Sequence, residues 1–242
     1  MSLIPRLKSR VFRWSRPVPF LCRHAEYSLL ASLDDDPAGP SDRLIDISLR
    51  AIDHARHADM SSISKRMAAP PYYPEIWPGE HYKLLAGLVA AQQPRRVVEI
   101  GTAQGWSALA LRSNLPPGSE LVTFDIVPWT EMGNTAFRDS DFEEGNLRQI
   151  LGDLSNKGFF AQCADQLSSC DLLFVDAPKD GIFELKFLEN LSTIQLPPNV
   201  LVVFDDIRLW NMLKIWREIK RPKLDLTSFG HWTGTGLVDW NG

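Results

Sequence analysis

The stretch Val97-Val98-Glu99-Ile100-Gly101-Thr102-Ala103-Gln104-Gly105-Trp106-Ser107 constrains the fold of this chain more than any other. It begins with residues of strand character that include an acid, turns through glycines, and runs into Ser107 to Leu111, which favour a helix. A strand that feeds a helix through glycines gathers bare backbone N–H groups and the positive end of a helix at one spot. Glycine is required where the backbone takes φ > 0 or a ligand comes close. This pattern reads as a nucleotide-type pocket at the carboxyl end of a first parallel strand.

An alternation of strands and helical or mixed segments follows. Strands are expected at 96–100, 120–125, 147–151, 171–176 and 199–204. Leu172 to Val175 and Val200 to Phe204 are continuously apolar, as strands buried on both faces are, so the sheet is mostly parallel with helices on both sides. Leu224 to Phe229 and Thr235 to Trp240 supply two more strands, an antiparallel hairpin at the C-terminus. The expected fold is therefore α/β: a doubly wound, mostly parallel, seven-stranded sheet. Upstream, Ser41 caps a helix from about Asp42 to Ala58 whose apolar stripe is Leu44, Ile45, Ser48, Ile52 and Ala55. His54 and His57 on it read as surface residues. A second helix runs from about Glu80 to Ala91, preceded by the aromatic, proline-rich loop 70–79.

A chain of 242 residues suits one sizeable core, here 71–242, with residues 1–70 as an N-terminal arm and accessory helix. The net charge of −4 gives no basic field for nucleic acid. No apolar run approaches the ~20 residues of a membrane span. Residues 1–25 carry six Lys/Arg and no acid, an arm for a membrane surface or for a dimer mate of a homo-oligomer. Cys22, Cys163 and Cys170 lack metal-type spacing, which points to a reducing, cytoplasmic setting.

Ligands of open α/β sheets sit beyond the carboxyl ends of the strands, and acids collect at each of them here. Asp125 lies about 20 residues past the glycine turn, where a carboxylate holds a ribose diol. Asp153, before Leu154, either accepts from an adenine amino group or caps a helix from about Ser155. Asp176 follows the fourth strand and Asp205-Asp206 the fifth. Adjacent buried carboxylates repel, and a hard divalent cation, Mg²⁺ above all, resolves the repulsion. Otherwise Asp205 or Asp206 caps a helix from Ile207.

The glycine spacing is G-x-x-x-G rather than the dinucleotide G-x-G-x-x-G, with Glu99 placed for a ligand ammonium. Glu99-x-Gly101-x-x-x-Gly105 resembles the first motif of class I S-adenosylmethionine (SAM)-dependent methyltransferases. Val175-Asp176-Ala177-Pro178-Lys179-Asp180 further resembles the metal-dependent O-methyltransferases, the catechol and caffeoyl-CoA group, over about Ile76 to Trp240. Asp205-Asp206 departs from that group's Asp-Asn and looks like the sugar and macrolide O-methyltransferases. The resemblance implies a Rossmann-like methyltransferase fold and a SAM site from Glu99, Gly101, Thr102, Gly105, Trp106, Ser107, Asp125, Ile126, Asp153, Leu154 and Asp176. It implies a divalent metal at Asp176, Asp205 and Asp206, with Lys179 as general base and His231 as a second base candidate. The expected activity is methyl transfer to a hydroxyl of a small molecule. Pocket walls are expected from loop 70–79, from Pro128, Trp129, Met132 and Phe137, and from Trp210, His231 and Trp232. The same sheet also accommodates a metal-independent methyltransferase, an NAD-type oxidoreductase or a non-catalytic SAM-binding module.

Overall fold

A computed structural model describes residues 38–242. The basic arm, Cys22 and most of the acidic linker lie outside the described residues. Seven strands form one sheet in the order β3-β2-β1-β4-β5-β7-β6: β1 (Arg96–Ile100), β2 (Glu120–Asp125), β3 (Leu147–Leu151), β4 (Leu172–Val175), β5 (Leu201–Asp205), β6 (Lys223–Asp225) and β7 (Thr235–Asp239). The first five pair in parallel, and β7 runs antiparallel between β5 and β6. The doubly wound fold with its C-terminal hairpin is thus present.

Alternation along the strands divides the core. Val97, Leu121, Phe174 and Val203 face one side, under α1 (Asp42–His57), α3 (Tyr82–Gln92) and α4 (Trp106–Arg112). The four-residue α2 (Ser61–Ser64) sits beside them. Val98, Ile100, Phe124, Val175 and Phe204 face the other, under α5 (Lys157–Gln162), α6 (Ala164–Ser168), α7 (Ile182–Leu191) and α8 (Met212–Glu218). Both layers are apolar where they meet the sheet, which is why β4 and β5 show no polar alternation.

Ser41 caps α1 as expected, its Oγ accepting from the Leu44 amide at 3.3 Å. The buried stripe is Leu44, Ile47, Ser48, Ala51 and Ala55. Ile45 is exposed, because the face that meets α3 is rotated to place Ala51 against Gly87. His54 and His57 are exposed. Two expected helix starts move. Asn156, not Asp153, caps α5, accepting from the Gly158 and Phe159 amides. The helix expected at Ile207 begins at Met212, so neither Asp205 nor Asp206 caps it. The freed segment holds Asp206 and Trp210 at positive φ.

Candidate active site

The carboxyl ends of β1, β2, β4 and β5 form one rim. At β1 the Gly101 amide donates to the Phe124 carbonyl at 2.8 Å, and the Asp176 amide donates to the Ile100 carbonyl at 2.8 Å. Gly101 has φ +98°, and a Cβ on it would lie 2.1 Å from the Asp176 carbonyl oxygen. Only glycine lets the first turn pass this close to the end of β4. Gly105 (φ +83°) is required for another reason: the Phe137 ring lies where its Cβ would be, at 2.5 Å.

A cavity of about 570 Å³ opens on this rim, within the range of small-molecule sites. Of the residues expected to bind a cofactor, Gly101, Asp125, Ile126, Asp153, Leu154 and Asp176 line it. Asp125 is fixed by two amides, with Oδ2 accepting from Ala103 at 2.9 Å and Oδ1 from Val127 at 3.0 Å. A carboxylate has about four acceptor positions, so both oxygens keep room for a ligand hydroxyl. Asp153 is exposed at the mouth, accepting from the Ser155 amide at 2.8 Å. Ile182 and Phe183 of α7 complete an apolar wall that the sequence did not single out.

Glu99, Thr102, Gly105, Trp106 and Ser107 are not brought to this cavity. Ile100 faces it, so the period of two turns Glu99 to the opposite side of the sheet. There Glu99 is fully buried, its Oε2 accepting from the Thr123 hydroxyl at 2.6 Å and its Oε1 lacking a partner. Burial pushes its carboxyl up to about 8, against the pull of its Ser107 and Thr123 contacts. Thr102 bonds Thr123 at 2.7 Å, and Trp106 bonds Gln104 at 3.1 Å. The expected wall residues Trp129 and Phe137 instead stack with Phe142 into the core, at centroid distances of 5.1 to 5.9 Å.

Beside the cavity, Asp176, Asp205 and Asp206 each offer an oxygen, all within 4.8 Å of one another. Lys179, buried at φ +65°, reaches back with Nζ to Asp176 and to Asp206 at 3.3 Å. Burial opposes its charge, but the three carboxylates outweigh burial and raise its pKa. As arranged, the Lys179 side chain is ion-paired with these carboxylates. Asp205 is buried with its Oδ1 lacking a hydrogen bond. Burial disfavours its charged form, yet His81, His231 and Lys179 together hold it far below the carboxylate range. The donor set therefore suits a divalent cation: three oxygens converge, and one buried acceptor is unsatisfied.

His231 joins this cluster from the late loop. Its Nδ1 lies 3.1 Å from Asp205 and 3.2 Å from Asp206, and its Nε2 3.7 Å from Glu80. Burial lowers its pKa, but the two aspartates push it up to about 10. The structure adds His81, which the sequence reading missed. It precedes α3, is 4% exposed, and packs on Tyr82, Phe174 and His231 at 4.4, 5.5 and 5.1 Å. The only sequence signal was its place after the aromatic loop. That loop is tied to the late loop by the main chain: the Gly79 amide donates to Gly230 at 3.1 Å, and the Trp232 amide to Gly79 at 3.0 Å. The Trp77 indole N–H donates to the Phe229 carbonyl at 2.7 Å. Trp232 stands 70% exposed at this edge, with Tyr72, Tyr73 and Phe229 also exposed.

Residues 98–207, which contain the rim just described, match a family described as methyltransferase domain. This segment is similar to methyltransferase domains. The transmembrane O-methyltransferases of Propithecus coquereli and Homo sapiens are each 30% identical to the chain over 127 residues. That match covers 52% of this chain and 46% and 43% of those proteins, so the chain spans less than half of the relatives' length. The SAH-bound methyltransferase of Podospora anserina covers 100% of this chain and 98% of its own, with TM-score 0.51 and 16% identity, a likeness of fold. Among the described residues, no helix is long and apolar enough to cross a membrane.

Proposed function

We propose that the chain is a SAM-dependent O-methyltransferase that moves a methyl group to a hydroxyl of a small molecule with the help of a divalent cation. The observation that carries this reading is the meeting, on one rim of the sheet, of the cavity at Gly101 and Asp125 with the carboxylates of Asp176, Asp205 and Asp206. Residues 71–242 supply the catalytic domain in this reading, and the free, buried thiols of Cys163 and Cys170 support a cytoplasmic setting.

When bound, SAM supplies an electrophilic methyl for in-line displacement. Asp176, Asp205 and Asp206 would hold a divalent ion, which would lower the pKa of an acceptor hydroxyl. The chain's own residues do the rest. Asp125 would hold a ribose diol with the lone pairs its amide donors leave open, and Leu154, which lines the same cavity, would meet the adenine ring. The Gly101 turn sets the distance between the cavity and Asp176, and that alignment supplies much of the rate. Lys179 and His231 hold their protons while they neutralise carboxylates.

Calorimetry with S-adenosylhomocysteine and NAD, followed by methyl transfer to hydroxylated acceptors with and without chelator, tests the proposal. Binding of S-adenosylhomocysteine but not NAD, and turnover that chelator abolishes, are expected. Absence of S-adenosylhomocysteine binding sinks the reading. A second reading has its own support: the Lys179 ammonium already lies between Asp176 and Asp206, where a metal-independent enzyme would keep it. Undiminished turnover in chelator selects that one.

A further inference from the structure

His81, Asp205 and His231 present two nitrogens and an oxygen within 4.8 Å of one another. Both ring nitrogens of His81 lack a hydrogen bond, and so does Asp205 Oδ1. His81 Nδ1 and Asp205 Oδ1 are only 3.3 Å apart, yet poorly aligned for a bond. Leaving a buried polar group unsatisfied is destabilising. Here two such atoms, His81 Nδ1 and Asp205 Oδ1, face each other on side chains that are 2 to 6% exposed.

The spacing suits an electrophile between them. Ligand atoms about 2.0–2.1 Å from a tetrahedral ion lie about 3.3–3.4 Å from each other. His81 and His231 lie 3.3 and 3.1 Å from the two oxygens of Asp205. With His231 Nδ1 as donor atom, its Nε2 faces the Glu80 carboxylate at 3.7 Å, an ion-pair distance rather than a hydrogen bond. The partial exposure of His231, 18%, gives a path from the rim.

We propose that His81, Asp205 and His231 form a cation subsite for a borderline transition ion of the Zn²⁺ class, next to the all-carboxylate set and sharing Asp205 with it. Donor chemistry separates the two sets: imidazole nitrogens suit Zn²⁺, Co²⁺ or Cu²⁺, and carboxylates suit Mg²⁺. The subsite does not depend on the methyl-transfer reading. Its competitor is an ion cluster in which both imidazoles are protonated around Asp205.

The test is a Co²⁺ titration of the full chain, stripped of metal, followed by its visible ligand-field bands. Bands from one bound ion are expected, displaced by equimolar Zn²⁺ but not by equimolar Mg²⁺. His81→Gln and His231→Gln should each weaken binding at least tenfold, with Asp176→Asn leaving the bands in place. Absent bands in the wild-type protein, unchanged binding in both histidine variants, or loss in Asp176→Asn overturns the proposal. If His81→Gln does not fold, His231→Gln and nitrogen hyperfine splitting in the Cu²⁺-loaded wild type decide, and no splitting overturns it. Calorimetry with S-adenosylhomocysteine on the same metal-free protein reports separately on the cofactor reading.

Discussion

Gly101→Ala is the substitution whose consequence is best determined by the geometry. The new methyl would sit 2.1 Å from the Asp176 carbonyl oxygen, on a residue at φ +98°. Placing an L side chain in the left-handed region costs about 1–2 kcal/mol. Relieving the collision requires the turn to move by more than 1 Å from ordinary contact, roughly the distance that breaks a backbone hydrogen bond. The bonds at risk are Gly101 to Phe124 and Asp176 to Ile100, each 2.8 Å. Losing one adds about 1–3 kcal/mol if its partner stays buried and unpaired. The total is about 2–5 kcal/mol, and at about 2–4 °C per kcal/mol for a chain of this size Tm should fall by at least about 4 °C. Gly118→Ala is the control. Gly118 also has positive φ (+77°) but has nothing within 4 Å of a Cβ, so it reports the conformational cost alone. Differential scanning calorimetry of both variants separates the two contributions. If Gly101→Ala melts no lower than Gly118→Ala, the close approach of the first turn to β4 is not a constraint and the reasoning fails.

Two further outcomes follow from particular contacts. Glu99 has a folded-state pKa raised to about 8 from 4.5, so the folded protein holds a proton that the unfolded chain has released between those values. Stability should therefore fall as pH rises from 4.5 towards 8, by up to about 1.4 kcal/mol per unit, and Glu99→Gln should flatten that slope in Tm measured against pH; equal slopes would refute the assignment. Gly87→Ala reverses the usual propensity argument. Alanine favours helix by about 1 kcal/mol over glycine, yet its Cβ would lie 2.3 Å from the Ala51 carbonyl oxygen of the neighbouring helix, so chemical denaturation should show a loss, and any gain would contradict the packing of α1 on α3.

What the sequence disclosed and what it hid divide along physical lines. Strand positions were legible because burial on both faces leaves uninterrupted apolar runs, as in Leu172 to Val175. The acids at strand ends were legible because their place in the sheet follows from topology alone. Side-chain direction was harder. Glu99 belongs to the glycine motif, but one residue of register turns it away from the cavity that Ile100 lines. Trp129 and Phe137 look the same in sequence whether they wall a pocket or fill a core, and here they pack on Gly105 and Phe142. His81 escaped notice because its partners, Asp205 and His231, lie more than a hundred positions along the chain. The gap from Asp206 to Met212 was hidden by a helical pattern that starts before the helix does.

The bonds between loop 70–79 and the late loop join peptide groups at Gly79, Gly230 and Trp232, so the union depends little on which side chains those segments carry. Tyr72, Tyr73, Phe229 and Trp232 are exposed beside that union, and Phe229 packs its ring near that of Trp77, with centroids 6.3 Å apart. A lineage could therefore exchange these exposed residues while Asp205 and its neighbours kept their places. Diversification of such a scaffold would be written at the doorway and leave the hearth alone.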